Sequence, residues 1–139
     1  MAAWLSFWNV ATRRRNEAEL DGAVVSEIYV PWGRQRLKRR DSIYCVYIEG
    51  SELHLITRIR AASLDEDPPD EESVRVKPMR SDRVRADYNR VVPRSTASGI
   101  EYLHADGTSR WMDCNPRRFQ GRASIREVVA GEAALEALL

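Results

Sequence analysis

Residues 28–63 read IYVPWGRQRLKRRDSIYCVYIEGSELHLITRIRAAS, and the fold class follows from how this stretch alternates. Tyr44, Val46 and Ile48 alternate with Cys45 and Tyr47, the period of a strand whose successive side chains point to opposite faces. Glu49-Gly50 turns the chain into a second alternating run, in which Leu53, Leu55 and Thr57 oppose His54, Ile56 and Arg58. In a closed barrel one of these sets is core and the other is free to line a groove. Ahead of the hairpin lies a basic turn, Pro31-Trp32-Gly33 followed by Arg34, Arg36, Lys38, Arg39 and Arg40. Cationic loops beside aromatic-bearing strands suit a polyanion whose bases can stack, which points to nucleic acid.

Working outward, strand patterns cover residues 3–10, 24–30, 42–48, 52–62, 73–77, 100–103 and 109–113. Asp106-Gly107, between Ile100–Leu103 and Ser109–Met112, marks a second hairpin. Residues 13–20 permit an amphipathic helix, 84–93 divide evenly between strand and loop, and 124–128 are extended. The tail carries Ala133, Ala134, Leu135, Ala137, Leu138 and Leu139 at helical spacing, so a last helix should dock on a sheet. Many short strands with one or two flanking helices predict an α+β chain, a small mostly-β barrel, as a single domain over residues 1–139.

Composition agrees with a globular chain. At 139 residues and 43% hydrophobic content, one core can be built without metal or disulfide staples. Cys45 and Cys114 lie far apart and show no CxxC spacing, so they read as thiols in a reducing compartment. The apolar residues 2–11 are broken by Ser6 and Asn9, and arginines follow them. A secretory signal has the opposite order and a membrane span needs about 20 apolar residues, so a first strand in a soluble cytoplasmic protein is expected, with no membrane partner.

The net charge is only +1, yet its distribution is uneven. Residues 65–72, DEDPPDEE, hold six acids and no base around a Pro-Pro pair, which predicts a solvated loop. Without them the remaining chain has 22 bases against 15 acids. Twenty of the 22 bases are arginine, a side chain that forks onto phosphate and stacks on bases.

Catalytic constellations are missing from the sequence. His54 and His104 belong to no HExxH or HNH-like arrangement, no Ser or Cys sits in a nucleophile elbow, and no glycine-rich phosphate loop occurs. No enzymatic activity, metal or other cofactor is expected. Among the 11 aromatic residues, Trp4, Trp8 and most tyrosines suit a core, whereas Trp32 in its basic loop suits a stacking platform.

The order of these segments resembles the EVE/PUA-like superfamily, which also includes the YTH and ASCH domains. The likeness rests on a tryptophan-bearing first strand (Ala3-Trp4-Leu5-Ser6-Phe7-Trp8) and on Leu37-Lys38-Arg39-Arg40-Asp41-Ser42-Ile43-Tyr44, where such domains often carry an "xkxGDxiy" turn. The strand Leu55–Arg60 and the tail from Phe119 through Ile125–Val128 to Leu139 extend it. Arg40 stands where the family pattern has glycine. The resemblance implies a PUA-like pseudobarrel that binds nucleic acid, in bacteria often a reader of a modified, flipped base in DNA within a restriction system. There the partner is a nuclease domain or subunit, which would act in trans here. Carried over, Trp8, Trp32 and Trp111 are candidate cage walls with Tyr47 as a fourth, and Arg34, Arg36, Lys38, Arg39 and Arg40 would hold phosphates. Arg58, on the second hairpin strand, is a further candidate contact. DNA is favoured over RNA as partner. An RNA-binding module of the same fold and a protein-interaction domain with an all-core set of tryptophans remain alternatives.

Overall fold

The computed structural model describes residues 1–65, 72–104 and 106–139. It is mostly β, one curled eight-stranded sheet with three short helices. Its strands are β1 (Ala3–Phe7), β2 (Ile28–Val30), β3 (Ser42–Glu49), β4 (Glu52–Asp65), β5 (Val74–Pro78), β6 (Glu101–Leu103), β7 (Ser109–Trp111) and β8 (Ile125–Ala130). The helices are α1 (Val10–Leu20), α2 (Arg94–Ser98) and α3 (Glu132–Glu136). The strand order is β2-β5-β4-β3-β1-β8-β6-β7. β1 and β3 run parallel, and every other laddered pair is antiparallel.

The central strands β1, β3 and β4 are buried on both faces, whereas the edge strand β7 is exposed. Trp4, Ile43, Cys45, Tyr47 and Ile59 pack on one face under Ile28, Val30, Leu37 and Tyr88. Leu5, Tyr44, Val46, Leu53, Leu55 and Tyr102 pack on the other, under Ile100, Phe119 and Leu135. Two apolar faces explain why the hairpin strands alternate one apolar set with another rather than apolar with polar. Neither face of the hairpin is left free as a groove, which corrects the expectation of a core set and a groove set.

The alternation on β4 also changes phase partway along. Cys45 pairs with Thr57 but Val46 pairs with Leu55, so Ile56 is an extra residue in a β-bulge. Beyond it Arg58 lies opposite Tyr44, on the same side as Leu55, and not with His54 and Ile56 as strict alternation implies. The first hairpin turns at Gly50 (φ 58°) and Ser51 (φ 64°), one residue later than expected, because a two-residue turn of this hand needs both centres at positive φ.

Other boundaries moved for local reasons. β1 stops at Phe7 because Asn9 caps α1, its Oδ1 accepting from the Thr12 N–H at 2.8 Å. The segment read as residues 24–30 keeps only Ile28–Val30 as strand, with Val24 making an isolated bridge to Arg85. Residues 84–93 run as a loop that donates bridges to Val24 and His54. Of the acidic run, Asp65 ends β4 opposite Arg75 and ion-pairs with it at 3.2 Å, so it is strand and not loop. Residues 66–71 lie outside the described residues.

α3 docks as its pattern predicts, through Leu135, which is fully buried. Gly131 (φ 94°) starts it where a Cβ would stand 2.6 Å from the Gly99 carbonyl oxygen. The polar side of α3 is equally engaged. The Tyr44 hydroxyl lies 3.2 Å from Glu132 and 2.8 Å from Glu136, and Arg58 bridges Glu136 at 2.9 Å and Asp82 at 3.3 Å.

The basic turn is tied to the sheet by Asp41. This buried carboxylate accepts from the Ala2 N–H (3.0 Å), the Trp4 indole N–H (3.0 Å) and the Lys38 N–H (2.9 Å). Arg40 just before it has φ 73°, the left-handed conformation that glycine adopts without cost. Two substitutions check this. Asp41→Ala should cost about 3–5 kcal/mol in chemical denaturation, by stranding three donors. Arg40→Gly should gain about 0.5–1 kcal/mol by removing the left-handed penalty, and a decrease would mean that the arginine side chain itself holds the turn.

Candidate functional site

A cavity of about 660 Å³ opens where the parallel strands β1 and β3 end. Phe7 and Trp8 leave β1, Asn9 and Val10 start α1, and Tyr47 to Glu49 close β3. The fourth side is the irregular segment from Pro116 to Ser124, two 3₁₀ turns joined at Phe119 and Gln120. The β1 and β3 ladders end here, so the walls are made where the two cores run out, Phe7 and Phe119 from one and Trp8 and Tyr47 from the other.

The walls are aromatic. Phe7 and Phe119 stack at 3.8 Å with 9° between planes, and Phe119 meets Tyr102 edge-on at 5.3 Å. Trp8 is half-buried and tilts against Tyr88 at 6.3 Å. Tyr47 is sandwiched between the Arg13 guanidinium at 4.2 Å and the His54 ring at 4.4 Å. Burial raises the Tyr47 phenol above its usual value despite Arg13, so its hydroxyl stays protonated and donates to the Tyr88 carbonyl.

Charge enters from α1. Arg13 pairs with Glu49 and, at 3.7 Å, with Glu17, while Arg14 is exposed at the rim. Ser124 Oγ is a buried hydroxyl on the pocket lining with no hydrogen-bond partner among the described residues. The polar side chain that the segment offers on its exposed side is Gln120.

The basic turn meets the same segment from its other side. Arg122, next to the pocket residue Gly121, stacks over Trp32 at 5.0 Å. Arg36 donates to the Arg122 carbonyl at 3.4 Å and lies 5.3 Å over Trp4. Burial lowers the Arg36 pKa first, then the Arg126 charge, with Glu127 opposing. Trp32 itself is half-buried at φ 62°, a strained conformation for a large side chain.

The three candidate tryptophans do not share one cage. Trp8 lines the cavity, Trp32 sits under Arg122 outside it, and Trp111 is 59% exposed on the edge strand β7. Tyr47 lines the cavity while only 4% exposed. Lys38, Arg39 and Arg40 are exposed, with Arg39 Nε donating to the Ala62 carbonyl at 3.0 Å, and Arg34 is half-buried. Arg58 is buried and spent on Asp82 and Glu136, because the bulge moved it to the face of Tyr44 that α3 covers. Sequence reading passed over Phe7, Phe119, Arg13, Arg14, Arg122 and Ser124. One signal was present, a Phe-Trp pair at a strand end followed by a helix-capping Asn and three arginines a turn later.

Comparison of the chain with family models, curated proteins and solved structures returned no match.

His54 offers a pH test of the pocket wall. Burial holds its pKa below the usual value, outweighing Glu52 and Glu49, and its Nδ1 is buried without a hydrogen-bond partner among the described residues. A histidine whose folded pKa is depressed favours the unfolded chain once pH drops below about 6.5. The melting temperature should therefore fall between about pH 7 and 5.5, and His54→Gln should flatten that fall. Identical slopes for the two proteins would exclude His54 as its source.

Proposed function

We propose that this protein binds nucleic acid, taking one extruded base into the aromatic cavity and holding the backbone on neighbouring arginines. The observation that carries the reading is the cavity itself, walled by Phe7, Trp8 and Phe119 with Arg13 and Arg14 at its edge. A volume near 660 Å³ falls within the range of small-ligand sites and exceeds what a solvent crevice needs. A flipped base asks for apolar or aromatic walls and a few polar groups for its edge, and the exposed Asn9 and Gln120 line this cavity. Arg122, Arg36 and the exposed Lys38, Arg39 and Arg40 continue the positive surface past the segment that forms the cavity wall.

The resemblance to PUA-like modules supports the same reading. Asp41 stands at the Asp of that family's pattern, while Arg40 replaces its glycine and adopts a left-handed conformation at a cost. On this reading the preferred ligand is DNA carrying a modified base, with a nuclease supplied by another chain.

Fluorescence anisotropy with deoxy- and ribo-oligonucleotides, with and without modified bases, tests it. Trp8→Ala should weaken binding roughly 5- to 150-fold, the effect of removing one stacked base, with a thermal melt on the same sample to exclude unfolding. Alanine at Lys38, Arg39 and Arg122 should weaken all sequences alike and reduce the salt slope by about 1 for each phosphate no longer neutralised. Preference for ribo-oligonucleotides would move the reading to RNA. Absence of binding to any of them would leave the protein-interaction alternative.

A further inference from the structure

The sheet face beneath Phe119 carries a guanidinium with no counterion among the described residues. Arg126 lies opposite Leu5 on the β1/β8 ladder, which puts its side chain on the apolar face of Leu5, Val128 and Tyr102. The residue is 6% exposed and its Nε, like that of Arg58, is buried without a hydrogen-bond partner among the described residues. Among the described residues no carboxylate pairs with it. Arg58, on the same face and equally buried, has both Asp82 and Glu136. A lone buried charge is expensive, and methionine or leucine would fill the space as well. The arginine therefore asks for an anion.

Its surroundings add positive charge instead of removing it. Arg110 lies opposite Tyr102, and Tyr102 opposite Val128, two residues from Arg126, so these side chains share one face. Arg118 approaches from the 3₁₀ segment, held at 2.6 Å by Asp113. The Tyr102 hydroxyl thus sits in the field of three guanidinium groups and one carboxylate. Burial lowers the Arg126 pKa, and Arg110 pushes it the same way.

We propose that Arg126, Arg110 and the Tyr102 hydroxyl form a subsite for one phosphate-type oxyanion. The planar fork of arginine matches two oxygens of such a group, and Arg110 and the phenol supply further donors. The bound anion provides the counterion that Arg126 lacks. Phe119, stacked on Phe7 and edge-on to Tyr102, stands between this subsite and the aromatic cavity. The source is a nucleic-acid phosphodiester or a free phosphate, and the subsite does not depend on the nucleic-acid reading.

The test is thermal melting of the full chain in chloride buffer with and without inorganic phosphate. Phosphate at a tenfold excess over its Kd should raise the wild-type melting temperature by about 5 °C. Arg126→Met should melt above the wild type in phosphate-free buffer, because an unpaired charge is gone, and should show no phosphate response. Arg110→Ala, at an exposed position, should keep the phosphate-free melt and weaken phosphate at least about tenfold. That variant decides the matter if Arg126→Met does not fold. A wild type indifferent to phosphate, or an Arg126→Met or Arg110→Ala protein that responds as the wild type does, overturns the subsite. Where the subsite holds, displacement of a bound oligonucleotide by inorganic phosphate assigns it to the nucleic-acid backbone, and co-binding of both assigns it to free phosphate.

Discussion

Three donors converge on the Asp41 carboxylate: the Ala2 amide, the Trp4 indole and the Lys38 amide. These groups come from the start of β1, the core under the basic turn, and the turn itself. A buried carboxylate is tolerated only when its lone pairs are filled, so this one holds the three parts at one separation. The parallel pairing of β1 with β3 begins at the same place, Ala3 opposite Ser42. Parallel strands cannot be joined by a tight turn, and the long connection through α1, β2 and the basic turn has to be closed by a specific contact. Asp41 supplies it, and Arg40 bears the left-handed backbone that aims it.

From that anchor the position of the cavity follows. With both faces of the central strands filled, their ends stay open to a ligand, and the carboxyl ends of β1 and β3 lie side by side because the strands are parallel. The chain departs there into α1 on one side and a tight turn on the other. The Pro116–Ser124 segment covers the gap incompletely, since short 3₁₀ turns present one ring, Phe119, where a strand would present a continuous wall. The same segment carries Arg122 to Trp32, so a single irregular stretch joins the aromatic cavity to the basic turn.

The charged groups on the opposite sheet face divide into two kinds. Arg58 pairs with Asp82 and Glu136, Glu136 also takes the Tyr44 hydroxyl, and together they fasten α3 over Leu135. Arg126, a few strands away, has no such partners among the described residues. Arginine in a sheet interior is legible as structural or as ligand-seeking only through its neighbours. Residues 58 and 126 have equal standing as letters in a strand.

Local rules determined much of this protein. Period-2 alternation, Asp106-Gly107 and the apolar tail located the strands approximately, together with both hairpins and α3, because turn chemistry and pleat are properties of neighbouring residues. The basic turn and its tryptophan were likewise visible as composition. What lies on which face was decided by tertiary structure. One bulged residue, Ile56, reverses every side chain beyond it, and nothing local to Ile56 announces that β3 will pair with it out of step. The cavity was decided there too, because Phe7 and Phe119 are 112 positions apart and meet only when β8 folds back beside β1. A sequence records which residues are aromatic or charged, but not which long-range pairing leaves them unfilled or unpaired.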